Sequence, residues 1–259
     1  MKVNKVLIIP DYNQIERSLA VAKAYDCGFE YNDFYLPDFL DDETSCKERI
    51  LYYRSLQEVP DCCTMHGAFL DVNVASDDPK MAEVSDYRIE ESIRIARALG
   101  TGGVVFHTNF IPNFHMDYYR TNWVERNAKY WADKLKKYPD TDIYIENMFD
   151  TSWDLLAMLA EKLKEYPNFG VCFDFAHAHA FGNAEEIAHW VKALAPYVKH
   201  IHINDNDLEK DLHLPLGEGK IDWSYFKEVY ENYFPQATVL IEMKDLNAAE
   251  QSLQFLRNL

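Results

Sequence analysis

Basic residues are scarce in this chain: 26 Lys and Arg stand against 43 Asp and Glu, a formal net charge of −17. Nucleic-acid binders ordinarily carry a basic footprint, so this balance disfavours a polynucleotide partner and leaves a neutral small molecule as the easier one. Taken alone, the charge speaks first to solubility. Long apolar runs are also missing. None reaches the ~20 residues of a bilayer span, and the apolar stretch at Val6–Pro10 is too short for a secretory signal. The five cysteines (Cys27, Cys46, Cys62, Cys63 and Cys172) are scattered and contain no CxxC. That argues against a disulfide framework and for reduced thiols in a cytoplasmic setting. The one CxxH, Cys63 to His66, would lie along a strand, where residues three apart face opposite sides, so a thiolate zinc site is not expected there. No Pro/Gly/Ser-rich linker, low-complexity segment or GxGxxG after the first apolar run divides or labels the chain.

What is present is an alternation. Short β-rich runs at about 5–10, 29–33, 62–66, 102–107, 142–146, 169–174, 199–203 and 238–242 are separated by helical patterns at about 13–26, 43–57, 79–99, 122–138, 151–166, 184–195, 222–233 and 247–257. Leu99-Gly100 and Asp26-Cys27-Gly28 read as helix stops. Continuous apolar strands such as Val104-Val105-Phe106 fit burial on both faces of a parallel sheet. Eight strand–helix units over residues 1–259 predict one α/β domain, a single (β/α)₈ TIM barrel, with its active site at the C-terminal strand ends. A doubly wound open sheet is the runner-up. Homo-oligomerisation is allowed but not required.

Six of the strands end in a residue able to bind a metal: His66, His107, Glu146, Asp174, His202 and Glu242. Parallel strands in a barrel bring such ends to one mouth. Glu146, Asp174, His202 and Glu242 occupy adjacent strands, and three carboxylates with one imidazole suit Mn²⁺, Mg²⁺ or Co²⁺. Carboxylates at that density repel one another, and a cation is the natural reason for them to coexist. His66, His107, His177, Asp211 and His213 form a second layer of ligand types. They shift the preference towards Zn²⁺ and make room for two or three ions bridged by Glu146 and Asp174. Alternatively, His66 and His107 hydrogen-bond substrate hydroxyls, and Asp211 caps a short helix. His200, two residues before His202, is expected one layer deeper as a satisfied core histidine. His115, His179 and His189 are expected on loops or helix surfaces. Phe69, Phe110, Trp123 and Trp223 are placed to stack on a sugar ring or to pack at helix starts.

The segments His66-Gly67-Ala68-Phe69-Leu70-Asp71, Asp174-Phe175-Ala176-His177, His200-Ile201-His202-Ile203-Asn204-Asp205 and Asp211-Leu212-His213-Leu214-Pro215-Leu216-Gly217-Glu218-Gly219 resemble the xylose-isomerase-like TIM-barrel superfamily. That superfamily includes sugar isomerases and epimerases, inosose-type dehydratases, and the endonuclease IV branch of AP endonuclease family 2. The resemblance runs from the first strand to the last. It implies Glu146, Asp174, His202 and Glu242 as the metal set of a ketose epimerase. Glu146 and Glu242 would be its acid/base pair, and His177 would touch substrate. His66, His107, Phe69 and Trp123 are the further substrate-binding candidates. The arginine that follows the strand-seven histidine in those epimerases is absent; Asn204-Asp205-Asn206-Asp207-Leu208-Glu209 stands there. The lysine-assisted arrangement of xylose isomerase is not evident. Counterparts of all nine ligands of the trinuclear endonuclease IV site are present: His66, His107, Glu146, Asp174, His177, His202, Asp211, His213 and Glu242. Acidic loops after strands two and seven oppose a grip on DNA and equally on a sugar phosphate. The expected activity is therefore a divalent-metal-dependent isomerase or epimerase of a small, unphosphorylated sugar or cyclitol, working by proton abstraction beside a carbonyl. An endonuclease IV-like zinc phosphodiesterase or a related dehydratase or lyase is the alternative.

Overall fold

Every expected strand forms. The computed structural model describes residues 1, 3–113 and 116–259, and its strands are β1 (Lys5–Ile8), β2 (Gly28–Tyr31), β3 (Cys63–His66), β4 (Gly103–His107), β5 (Asp142–Glu146), β6 (Phe169–Asp174), β7 (Val198–Ile203) and β8 (Thr238–Ile241). They pair in parallel and in chain order, and β8 returns to β1, closing a single (β/α)₈ barrel. The helices are α1 (Ile15–Tyr25), α2 (Pro37–Asp41), α3 (Glu43–Ser55), α4 (Pro79–Leu99), α5 (Asp117–Lys137), α6 (Asp154–Leu163), α7 (Phe175–Ala180), α8 (Ile187–Leu194), α9 (Trp223–Tyr233) and α10 (Leu246–Asn258). Two of these, α2 and α7, lie in stretches read as loop from the sequence.

Local chemistry sets the helix ends. Asp78, Asp222 and Asp245 each accept a backbone N–H from the first turn of α4, α9 and α10, which satisfies donors that have no partner inside the helix. Gly100 ends α4 in the left-handed region at φ 79°. The stop near residue 27 works differently: Asp26 takes the left-handed position, and Gly28 opens β2. A Cβ on Gly28 would lie 2.2 Å from the Cys62 carbonyl oxygen, so glycine is needed there for strand approach rather than for helix capping.

Side chains alternate between the helix layer and the barrel lumen, as strand geometry dictates. Ile143, Ile145, Val171, Phe173 and Ile201 join the outer core. Val105, Tyr144 and Cys172 form a separate cluster inside the barrel, with the His200 ring stacked on Tyr144. One step further along the same inward rows come His107, Glu146, Asp174 and His202. Register aligns them: His107 is opposite Glu146 on β4 and β5, and Asp174 is opposite His202 on β6 and β7. The second match requires an irregularity at Val171/Cys172, where the β6–β7 register shifts by one residue. Without that shift, His202 would face the wrong row.

The long connection from β7 to α9 is held from inside by Asp205, which is fully buried. Its carboxylate accepts from the backbone of Asn206, Gly217 and Ile221 and from Trp223 Nε1, at 2.8–3.2 Å. Replacing it strands four donors, three of them buried. Asp205→Ala is expected to destabilise the protein by about 3 kcal/mol, lowering the melting temperature by about 6–12 °C. Scanning calorimetry showing a loss under about 2 °C would contradict this role.

Candidate metal centre

Nine side chains converge at the C-terminal mouth in overlapping groups of three. His66, His107 and Glu146 form one group, Glu146, Asp174 and His177 a second, Asp174, His202 and Glu242 a third, and His177, Asp211 and His213 a fourth; in each, the ligand atoms lie within 4.8 Å of one another. Glu146 and Asp174 belong to two groups each, as expected of bridging carboxylates. Six of the nine are buried; Asp211, Glu242 and His213 stand at the edge, with the His213 side chain 38% exposed.

Backbone contacts aim the rings. His66 Nδ1 contacts the Gly67 carbonyl at 3.0 Å and His177 Nδ1 the Asn147 carbonyl at 3.0 Å. Each contact keeps a proton on Nδ1 and turns Nε2, the nitrogen left for a metal or a second proton, toward the mouth. His66 Nε2 then lies 3.1 Å from His107 Nε2, and both approach Glu146 Oε2, at 3.6 and 3.4 Å. Glu146 Oε1 lies 3.2 Å from His202 Nδ1 and 3.5 Å from His177 Nδ1. Asp174 caps α7 with one oxygen, accepting the His177 N–H at 2.6 Å, and turns the other into the cluster. Asp211 receives His213 Nε2 at 2.9 Å. His213 itself is held at φ 47° and Leu208 at φ 68°, a left-handed backbone that costs energy for such residues and is kept where the surroundings impose it.

The donor set fits divalent cations. Both oxygens of Glu146, Asp174 Oδ2, Glu242 Oε2, Asp211 Oδ1, His177 Nε2 and His202 Nδ1 are buried and make no hydrogen bond. So many unsatisfied ligand atoms aimed at common points are costly without a positive charge between them. Electrostatics shows the same frustration. Burial raises the Asp174 carboxyl to about 7. Burial opposes ionisation of Glu146, yet the His202 and His107 rings hold its carboxyl well below the usual range. Burial also disfavours charge on His177, His202 and His213. Neighbouring carboxylates, joined at His202 by the Cys172 sulfur as the largest influence, overcome this, pushing the first two well above an ordinary imidazole and His213 to about 9.

The cluster floors a cavity of about 210 Å³ walled by Asn32, Tyr35, Phe69, Met148 and Lys244. Phe69 stacks on Tyr35 with ring centroids 5.1 Å apart and lies beside His107 at 4.7 Å, so it lines the cavity as expected. Trp123 does not. It is buried in the second turn of α5, edge-on to Phe110, because the helix starts earlier than its pattern suggested. Phe110 and Trp223 are buried packing residues as well. His200 is the satisfied core histidine expected, between Thr238 and Glu30. His179 is buried against Phe175 rather than on the surface, His189 is exposed, and His115 lies outside the described residues. Sequence reasoning missed Lys244, two residues past Glu242, whose ammonium bonds Tyr35 Oη at 3.1 Å. It also missed Asn147, which pairs both amide atoms with the Asp174 backbone at 2.9 Å, and Glu30 beneath the cluster. A glutamate inside the apolar Phe29-Glu30-Tyr31 run was the available signal for the last.

Fold and site together define a TIM-barrel protein with a cluster of candidate metal ligands at its mouth. The chain belongs to the xylose isomerase-like TIM barrel family, which matches residues 21–259. It is 27% identical over 201 residues to the uncharacterized protein MJ1311 of Methanocaldococcus jannaschii, covering 74% of this chain and 68% of that protein. It is 26% identical over 208 residues to a probable endonuclease 4 of Halorhodospira halophila, covering 72% and 68%. A solved D-tagatose 3-epimerase-like protein superposes with a TM-score of 0.75 at 22% identity, over 98% of this chain and 96% of the other. No described helix is long and apolar enough to cross a membrane.

Metal-free protein should show the frustration as pH dependence. Asp174 and His213 have folded pKa values above their unfolded 3.8 and 6.5, so their contribution is complete at low pH and disappears as pH rises through about 7 and 9. The melting temperature in excess chelator is expected to fall between pH 6.5 and 9. Added Zn²⁺ or Mn²⁺ should flatten or reverse that slope, because the cation replaces the protons. A chelated protein equally stable across this range would contradict it.

Proposed function

We propose that this barrel is a divalent-metal-dependent isomerase of a small, unphosphorylated polyhydroxy carbonyl compound, a sugar or cyclitol, with Glu242 as its base. The observation that carries this reading is the setting of Glu242. It is the one member of the Glu146–Asp174–His202–Glu242 set that also reaches the open cavity, with 14% of its side chain exposed. Zn²⁺ or Mn²⁺ suits the mixed imidazole–carboxylate donors, with Mg²⁺ or Co²⁺ as other occupants. A cation bound there would polarise a carbonyl and the adjacent hydroxyl, which acidifies the carbon between them.

The chain's own groups supply the rest. Glu242 takes the proton from the acidified carbon and returns it to the former carbonyl carbon, while the hydroxyl proton passes to the former carbonyl oxygen, so that carbonyl and hydroxyl exchange places. His177, His66 and His107 are within the cavity wall to orient hydroxyls when they are not themselves ligands, and Phe69 offers an apolar face to the sugar ring. Glu146 is enclosed by four imidazoles and has no exposed face. That supports a one-base transfer between adjacent carbons over a two-base epimerisation using both glutamates. The cavity suits a monosaccharide in size, and Lys244 is the one Lys or Arg among its described lining residues, which favours an uncharged substrate over a polyanion.

A second reading, a zinc phosphodiesterase of the endonuclease IV kind, is favoured by one specific observation. The His66–His107–Glu146 group adds a metal position that an isomerase does not need, and a named relative is a probable endonuclease 4.

Solvent deuterium incorporation into a panel of unphosphorylated ketoses and inososes, with Mn²⁺ or Zn²⁺ present, separates the two. Exchange is expected with at least one substrate and should fall about 10²–10⁴-fold in Glu242→Gln. Absence of exchange together with scission of an abasic-site oligonucleotide would overturn the isomerase in favour of the second reading.

A further inference from the structure

One buried carboxylate is not used by the centre above. Glu30 projects from β2 into the barrel lumen one layer beneath the mouth and is fully buried. Its Oε2 accepts from Thr64 Oγ1 at 2.6 Å and lies 3.1 Å from His200 Nε2. His200 is fixed in turn by Thr238 Oγ1, 2.6 Å from its Nδ1. The other oxygen, Oε1, lies 3.2 Å from His202 Nε2, off the line of a straight hydrogen bond, and neither atom has another partner. The opposite nitrogen of the same ring, His202 Nδ1, faces Glu146 at 3.2 Å and Glu242 at 3.8 Å. His202 therefore stands as a bridge between a clamped carboxylate below and the ligand cluster above.

We infer that Glu30 is a positioning residue that fixes the His202 tautomer, holding the ring proton on Nε2 so that the Nδ1 lone pair is presented to a metal ion at the mouth. A ligating imidazole needs this from some partner, because either nitrogen can carry the proton and only one of the two forms can bind. Three of the other four rings at the mouth obtain their bias from the backbone: His66, His177 and His213 contact carbonyls through Nδ1, whereas His107 Nδ1 has no hydrogen-bond partner. His202 contacts none, and Glu30 takes that place. The neighbouring Cys172–His200–His202 grouping is not a second metal site, because both nitrogens of His200 are already engaged. The inference rests on the metal centre proposed above and not on the reaction it serves.

The test compares wild type, Glu30→Gln and Thr64→Val. Three quantities are read: Zn²⁺ affinity by competition with a chromophoric chelator, the metal-free melting temperature, and the ¹⁵N NMR signature of the His202 ring in metal-free protein, taken on the alkaline side of its titration where the ring is neutral and carries one proton. Glu30→Gln is expected to weaken Zn²⁺ binding about 10–100-fold and to change the His202 ring from the Nε2–H form to a mixture. Thr64→Val, which removes one of the two partners of Oε2 but keeps the carboxylate, should lose less in the same direction. A purely structural role would lower the melting temperature and leave the tautomer unchanged. Zn²⁺ affinity within threefold of wild type in Glu30→Gln would overturn the inference, as would a wild-type His202 protonated on Nδ1. If Glu30→Gln does not fold, undiminished affinity in Thr64→Val does so. Wild-type protein that takes up no Zn²⁺ is a different result and removes the metal centre itself, while the tautomer measurement still decides the part played by Glu30.

Discussion

Four carboxylates and five imidazoles held within ion-pairing distance in a largely dry mouth form the constraint on which the rest of this molecule depends. In water such groups would be hydrated and far apart. Here the fold fixes them, and the protein alone compensates them only in part: Glu146 presents two oxygens with no hydrogen-bond donor, and His66 and His107 meet nitrogen to nitrogen. Local electrostatics of this kind works against folding, and what overrides it is the apolar layer between strands and helices, together with a closed sheet that leaves no edge. Divalent cations bound there would turn the same arrangement from a cost into a source of stability.

The barrel lumen beneath is correspondingly not a simple hydrocarbon plug. Thr64, Glu30, His200 and Thr238 form a hydrogen-bonded belt from β3 to β8, and Tyr144 covers His200 with its ring. Gly103 is what lets Tyr144 lie there, since a Cβ at that position would come within 2.5 Å of the tyrosine ring. Polar layers of this sort rigidify when every member is satisfied. The β7–α9 connection adds a second kind of control. Asp205 ties down its root, and the strained left-handed residues Leu208 and His213 bring Asp211 and His213 back over the mouth.

Much of this was legible in the chain because strand ends are a one-dimensional signal. An apolar run closing on His, Glu or Asp, repeated at regular spacing, places those residues at one end of a parallel barrel without further knowledge. His66, His107, Glu146, Asp174, His202 and Glu242 were found that way. Features set by three-dimensional register were not legible. The shift at Val171/Cys172 leaves no mark in composition, and Glu30 is hidden in mid-strand, where alternation alone does not say which face holds a buried charge. Lys244 was overlooked because the expected cation-poor rim rested on two of the loops and not on the short one after β8. Trp123 went the other way: position near a mouth loop suggested substrate contact, whereas the earlier start of α5 turns its ring into the packing beside Phe110.

The most direct test of the central claim is anomalous diffraction from crystals grown with Zn²⁺. The account predicts strong peaks at the mouth, at about 2.0–2.3 Å from imidazole nitrogens and carboxylate oxygens of the nine-residue cluster, with Glu146 or Asp174 shared between neighbouring ions. A mouth free of anomalous density, with those side chains turned to separate partners, would contradict it.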